Sequence, residues 1–150
     1  MKKIIILAVS AFLMLSACTK EPIPILEQTT WQYSTEISNI RYTFILCLSS
    51  PTHGYAVVYE ESNNVSNTSM EHIYDVKYTF DGEEAGTMTF RKEYGEIINS
   101  YHSDINNYTD TITTSFYTYA GNNKMLIHDT PNKLIRQIEL TRQSYSLTNQ

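Results

Sequence analysis

The chain has 150 residues, with 16 acidic and 11 basic side chains and a formal net charge of −5. This length is typical of a single domain, and it suffices to bury a stable core without metal ions or disulfides. Lys2 and Lys3 lie in a segment that we expect to be removed, so the mature chain is more acidic still. The charge balance argues against a basic surface for DNA or RNA, and we expect no nucleic-acid partner.

The amino-terminal segment has the parts of a secretion signal. Lys2 and Lys3 form a short cationic region, and an apolar run from Ile4 to Leu15 follows, interrupted only by Ser10. The run is too short to cross about 30 Å of hydrocarbon as a helix. It therefore predicts a cleaved signal peptide rather than a permanent membrane anchor.

Small residues and a cysteine end this signal, and Leu15-Ser16-Ala17-Cys18 resembles the lipobox of bacterial lipoproteins. In that family a diacylglyceryl group is attached to the cysteine sulfur, the signal is cut before the cysteine, and the new amine is usually acylated. The resemblance implies that residues 1–17 are removed and that the membrane is the partner of a lipidated, palmitate-bearing Cys18. Several acyl chains, at about 0.8 kcal/mol per buried CH₂, would anchor the protein stably. An ordinary cleaved signal with a chance cysteine is the alternative.

The residues after Cys18 bear on the compartment. The position that follows it is Thr19. In the family that the lipobox resembles, Asp there suggests retention in the inner membrane, so the resemblance implies the outer membrane of a Gram-negative bacterium. Thr19-Lys20-Glu21 also resembles the tag that sends some lipoproteins to the cell surface. Display on the surface and a domain that faces the periplasm are both open.

A short tether is predicted between the lipid and the domain. Pro22 and Pro24 favour extended backbone and exclude a regular helix. We therefore assign residues 18–28 to the lipidated cysteine and its tether, and residues 29–150 to a single domain.

Cys47 is the only cysteine left once Cys18 carries lipid, so no intramolecular disulfide is possible. We interpret Cys47 as a small, buried packing residue, with intermolecular pairing or a reactive nucleophile as the alternatives.

From Trp31 onward, apolar and polar residues alternate with a period of two, which is typical of β-strands. In the third strand, Tyr55, Val57 and Tyr59 are predicted to face the core. Asp81-Gly82 predicts a tight hairpin into the next strand. No long window has helical spacing, and we predict an all-β domain of eight or nine strands, near residues 31–37, 40–48, 55–59, 74–81, 85–91, 96–101, 112–119, 124–128 and 134–141.

Short connections favour consecutive antiparallel pairing, and closure into an up-and-down β-barrel of about eight strands hides the sheet edges. A two-sheet β-sandwich is the alternative. Trp31, preceded by Thr29 and Thr30, together with the late Arg136 and Arg142, resembles the lipocalin-like arrangement of a first-strand tryptophan covered by an arginine. The resemblance spans residues 31–142 and implies a small lipocalin-like domain. The glycine that this family has two residues before the tryptophan is Thr29 here.

Many catalytic and metal-binding sites are recognisable from the spacing of their residues in the sequence. The segment from Asp104 to Asp110 lacks the glycine and the final glutamate of a calcium loop. Neither a nucleophile elbow nor a phosphate-binding glycine loop is present. The histidines lack the paired spacing of a zinc site, and they are His53, His72, His102 and His128. We expect a non-catalytic protein without metal or cofactor, although an enzyme assembled from distant strands would leave no motif.

Counting strands as simple hairpins predicts which loops share an end of the barrel. The tether end would carry residues 49–54, 81–84, 102–111 and 129–133, and the opposite end residues near 38, 62–71, 92–95 and 121–123.

Tyrosine is abundant, with twelve in the chain. Four inward aromatic residues are predicted to converge at the end away from the tether, Tyr42, Tyr59, Tyr74 and Phe90. Such a mouth predicts binding of a small apolar or amphipathic ligand inside the barrel. The alternative is that these side chains fill a closed barrel. The protein would then bind a glycan or a protein through its loops and exposed tyrosines.

Overall fold

The computed structural model describes residues 25–62, 69–98 and 107–144, and the side chains of residues 69–70 and 94–98 are not described. Cys18, the signal and most of the tether lie outside these ranges. The described residues contain no helix long and apolar enough to cross a membrane. They form eight strands, Thr29–Ile37 (β1), Ile40–Leu48 (β2), His53–Ser62 (β3), Ser69–Phe80 (β4), Ala85–Ile98 (β5), Thr111–Tyr119 (β6), Lys124–Ile127 (β7) and Ile138–Gln143 (β8).

The strands form a closed barrel in sequence order, each antiparallel to the next. Three residue pairs join β8 to β1, including Trp31 opposite Arg142. The prediction of an all-β, up-and-down barrel is therefore confirmed, and the sandwich alternative is wrong. Closure leaves neither β1 nor β8 with an unpaired edge along these residues.

Trp31 closes the tether end of the core. Its side chain is fully buried, and its indole N–H donates to Thr29 Oγ1 at 2.8 Å. The Arg142 guanidinium carbon lies 6.0 Å from the centre of the tryptophan ring. Arg142 therefore lies close to the Trp31 ring, whereas Arg136 is exposed.

The predicted division of this region into separate strands at residues 85–91 and 96–101 is wrong, because β5 runs unbroken from Ala85 to Ile98. Tyr74 pairs with Lys92 while Ile73 pairs with Tyr94, so Glu93 is an extra residue in β5. Such a β-bulge shifts the alternation of the strand by one residue. In the sequence, the interrupted alternation resembled a loop at residues 92–95. The backbone pairing nevertheless continues across these residues.

Merging two predicted strands into one reverses the end assigned to every later connection. We call the end where Leu26 enters the tether end, and the opposite end the far end. Residues 120–123 lie at the tether end, and residues 107–110 and 128–137 lie at the far end, the reverse of the prediction. The connection between β1 and β2 lies at the far end, as predicted.

The predicted orientation of the side chains of β3 is also wrong. Tyr42 pairs with Glu60 and Phe44 pairs with Val58, so these two β3 residues face the core with the apolar face of β2. Tyr55, Val57 and Tyr59 therefore lie on the outer face. Antiparallel partners share one face of a sheet, and the stronger apolar face of β2 decides which way β3 is turned.

The barrel interior is filled by side chains. The rings of Phe44 and Phe90 meet edge to face, with centroids 5.9 Å apart, and Tyr78 and Phe116 meet similarly at 6.5 Å. Leu26 is buried at the tether end, where its carbonyl accepts a hydrogen bond from Thr29 Oγ1. The largest fully buried side chains come from all eight strands, and they are Trp31, Leu46, Leu48, Val58, Tyr74, Met88, Phe90, Phe116, Met125, Ile127, Ile138 and Leu140.

Candidate functional site

The four aromatic residues predicted to form a mouth do not converge. Tyr42 is 4% exposed, and Tyr74 and Phe90 are 0% exposed, so these three belong to the packed core. Tyr59 lies on the outer face of β3, between the outward positions of Thr43 and Glu71. This arrangement fits the alternative in which inward aromatics fill the barrel.

A groove of about 290 Å³ lies at the tether end instead. It is lined by apolar residues and one glutamate, Ile25, Leu26, Glu27, Pro51, Tyr78 and Phe80. The groove lies beside residues 25–27, at the end of the barrel opposite to the one where the mouth was predicted.

A buried polar cluster occupies the far end of the interior, and we define it by Glu60, His72, Tyr108 and Asn132. The Tyr108 hydroxyl donates to Glu60 Oε1 and accepts from Asn132 Nδ2 at 3.0 Å. The Tyr108 ring stacks on the His72 imidazole, with centroids 3.7 Å apart and planes 25° from parallel. The polar cluster thus ties β3 and β4 to the β5–β6 and β7–β8 connections.

Backbone hydrogen bonds hold those two connections together. Thr109 N–H donates to Pro131 O at 3.0 Å, and Lys133 N–H donates to Asn107 O at 2.8 Å. Tyr108 and Asn132 face one another between these bonds as an isolated bridge. The sequence did not reveal this cluster, because counting one strand too many placed both connections at the other end of the barrel.

Burial keeps two side chains of the polar cluster, His72 and Tyr108, in their uncharged forms. Burial, and then the nearby Lys92 ammonium, lower the pKa of His72 to about 4, so its imidazole is neutral at pH 7. Burial, followed by the Glu60 carboxyl, raises the pKa of Tyr108 well above its usual value. Tyr108 therefore remains a hydroxyl that donates a hydrogen bond.

Tyr74 adds an unusual group to the same interior. Its hydroxyl is buried and has no hydrogen-bond partner among the described residues. Burial, and then Asp110, raise the pKa of this hydroxyl. Within the described ranges, no group of three or more histidine, cysteine, aspartate and glutamate side chains converges to hold a metal ion.

Acidification is expected to destabilise the fold through His72. The folded-state pKa is about 4 and the ordinary value is 6.5, so the unfolded chain binds more protons between these values. The contribution of neutral His72 is complete above pH 6.5 and decreases by about 3 kcal/mol as the pH falls to about 4. Urea titrations from pH 4 to pH 7 measure it. His72→Phe keeps an aromatic ring against Tyr108 and should flatten this part of the profile; an unchanged slope would contradict the prediction.

The second candidate is the outer patch, which we define as Ile45, Cys47, Tyr55, Val57, Tyr59 and Ile73 on the outer face of β2, β3 and β4. Ile45, Val57 and Ile73 are register partners and form a row across the three strands. Tyr55 and Tyr59 flank Val57 along β3. Tyr55 is 48% exposed, whereas Val57 is only 7% exposed between its neighbours.

Cys47 belongs to this patch and not to the core. It is half-buried on the outer face of β2, where Thr30 Oγ1 donates to its sulfur at 3.6 Å. The interpretation of Cys47 as a buried packing residue is therefore wrong, because the inward, buried positions of β2 are its even-numbered residues and Cys47 is half-buried on the outer face.

Charged and polar groups surround the outer patch. Arg41 and Glu61 form an ion pair at 3.8 Å, and Arg91 and Asp75 form another at 3.7 Å. Partial burial and the Glu71 carboxyl, which accepts a hydrogen bond from Tyr59, raise the pKa of the Tyr59 hydroxyl. The patch thus has an apolar centre and a polar rim. Apolar Ile45 and Cys47 at outward positions of β2 were the visible sequence signal for it.

No known protein family matches the chain, and neither a curated protein nor a solved structure is significantly similar to it.

Proposed function

We propose that this chain is a non-catalytic envelope lipoprotein that is held on its membrane by acyl chains on Cys18 and binds a protein partner through the outer patch. The observation that carries the proposal is the orientation of β3. This strand directs Tyr55, Val57 and Tyr59 outward, and its buried inward residues are Gly54, Ala56, Val58 and Glu60.

A strand between a core and water normally places its apolar residues inward. In β3 the apolar residues that face the core are Ala56 and Val58, whereas two tyrosines and a valine face outward, and Tyr55 is 48% exposed there. Exposed apolar patches mark interaction sites, and tyrosine is enriched in protein interfaces. The patch is therefore best explained as surface that is buried when a partner binds.

The chemistry of the patch favours a protein as the partner. Its centre is aliphatic, with Ile45, Val57 and Ile73 between two tyrosines, and it matches apolar side chains better than sugar hydroxyls. The rim carries both positive and negative side chains, which form the ion pairs Arg41–Glu61 and Arg91–Asp75. Such a rim suits the polar periphery of a protein interface.

A small ligand inside the barrel has less support. It required Tyr42, Tyr59, Tyr74 and Phe90 to line an opening, and three of them are packed in the core while Tyr59 faces outward. The buried polar cluster is accounted for by its own hydrogen bonds between strands and connections.

The lipid anchor is tested by Cys18→Ala. This variant is expected to take up no labelled palmitate and to accumulate as an uncut precursor, because the cysteine sulfur is the first acyl acceptor. Palmitate labelling of the variant would contradict the anchor. Protease treatment of intact cells then distinguishes surface display, in which the domain is digested, from a periplasm-facing domain, which is protected.

The outer patch is tested by a photo-crosslinking amino acid at position 55 of the lipoprotein in whole cells. Thr113, an exposed residue on the outer face of β6, is the matched control position. We expect a defined crosslink to one envelope protein from position 55 only. The purified partner should then bind the Tyr55→Ala variant about tenfold more weakly, as for an interface anchor.

Three outcomes would contradict this role of the outer patch: equal crosslinks from both positions, crosslinks from position 55 only to a second copy of the chain, and unchanged affinity of Tyr55→Ala.

A further inference from the structure

A second aromatic cluster lies on the side of the barrel opposite the outer patch. In the closed order of eight strands, β7 is four positions from β3 in either direction. We define the aromatic row as Tyr117, Tyr119 and His128. The centroids of the two tyrosine rings are 5.4 Å apart, and those of Tyr117 and His128 are 6.3 Å apart.

The row is built by rigid backbone. Tyr117 and Tyr119 are two residues apart on β6 and therefore share its outer face. His128 follows β7, and its backbone N–H donates to Ser115 O at 3.1 Å, which sets the imidazole beside Tyr117. The planes of neighbouring rings are tilted by 39° and 43° rather than stacked face to face. Tyr117 is 38% exposed.

Polar groups are fixed along one edge of the row. The Tyr119 hydroxyl donates to Glu139 Oε2, and Lys124 Nζ lies 3.0 Å from Glu139 Oε1. The same ammonium donates to Thr141 Oγ1 at 3.0 Å. The edge thus presents a carboxylate, an ammonium and hydroxyls in positions that their mutual contacts already hold, which lowers the entropy lost on binding.

We propose that the aromatic row binds a neutral carbohydrate chain. A sugar ring has a C–H face that packs on a flat aromatic face, and a rim of hydroxyls that both donate and accept hydrogen bonds. Tilted rings beside Glu139 and Lys124 match both features. The negative charge of the chain and the carboxylate at the edge disfavour an anionic polysaccharide. This site goes beyond the proposed function, because it uses other residues on the opposite face.

The experiment uses the full lipoprotein in a detergent without a sugar headgroup. Its migration is measured in native gels that contain a neutral β-glucan, α-glucan, mannan or xylan, with alginate as the anionic comparison. We expect at least one neutral polysaccharide to retard the protein. Tyr117→Ala should weaken this binding about tenfold or more, while Tyr55→Ala leaves it unchanged and Tyr117→Phe retains it.

The same experiment can overturn the proposal. No binding to any of the neutral polysaccharides, preferential binding to alginate, or full binding by Tyr117→Ala would each do so. Circular dichroism of Tyr117→Ala establishes that the barrel is intact, and Glu139→Gln, a change at the polar edge, is expected to weaken binding several-fold without unfolding. Loss of binding in Tyr55→Ala but not in Tyr117→Ala would assign carbohydrate to the outer patch. That result would contradict this proposal. The crosslinking experiment would still test the protein partner independently.

Discussion

Tyr74→Ala is expected to lower the free energy of unfolding by about 3 to 5 kcal/mol, the usual cost of truncating a core aromatic residue. Tyr74 is fully buried on the inner face of β4, so its removal leaves a cavity in a packed interior. Tyr59→Ala is the matched control, because this tyrosine lies on the outer face of β3. It should cost less than about 1 kcal/mol. Urea unfolding of the two variants measures the difference.

A third variant separates the ring of Tyr74 from its hydroxyl. The hydroxyl has no hydrogen-bond partner among the described residues, so Tyr74→Phe should leave stability unchanged or raise it. Equal losses in Tyr74→Ala and Tyr59→Ala would contradict the inward and outward orientations, and a large loss in Tyr74→Phe would reveal a partner for the hydroxyl.

Tyr108→Phe is expected to lower the free energy of unfolding by about 3 to 4 kcal/mol, although it removes a single oxygen atom. That oxygen donates to Glu60 and accepts from Asn132, and both partners are buried. Each would lose a hydrogen bond without gaining water, which costs more than the loss of an exposed bond. Tyr117→Phe removes the same atom from an exposed ring and should change stability by less than about 0.5 kcal/mol.

A double-mutant cycle of Tyr108→Phe with Glu60→Gln assigns this energy to the contact. The coupling energy is expected to be about 1 to 3 kcal/mol, because the two side chains meet directly in a buried network. Additive effects of the two substitutions, or a Tyr108→Phe variant as stable as its parent, would show that the polar cluster does not hold the far end together.

Local pattern was sufficient for most of the barrel. The alternation in β2 and β4 is strong enough that Phe44, Leu46, Tyr74 and Val76 could be assigned to the core from the sequence. The hairpin at Asp81-Gly82 followed from turn chemistry, since Gly82 has a φ of 86° and Asp81 Oδ1 accepts backbone hydrogen bonds within the turn. Short connections between such strands led to consecutive pairing and closure.

Two features depended on pairing between strands. The period-two alternation predicts that Tyr55, Val57 and Tyr59 share one face of the strand, but it does not predict which face. Their apolar character suggested the core. Pairing of Val58 with Phe44 decided the question. The bulge at Glu93 hid the continuity of β5, and counting β5 as two strands reversed the predicted ends of all later connections.

The sequence by itself therefore determined most strands of the barrel and their consecutive order, because alternation and turns are local properties of the chain. Only the tertiary structure decided the outer patch, the polar cluster and the aromatic row. Each consists of residues from several strands or connections, such as Glu60 with Tyr108 and Tyr119 with Glu139. The physical reason is pairing: hydrogen bonding between strands sets which residues share a face, and a shift of one residue reverses that face. The number of paired strands sets the end at which each connection lies, and one strand too many reverses that end.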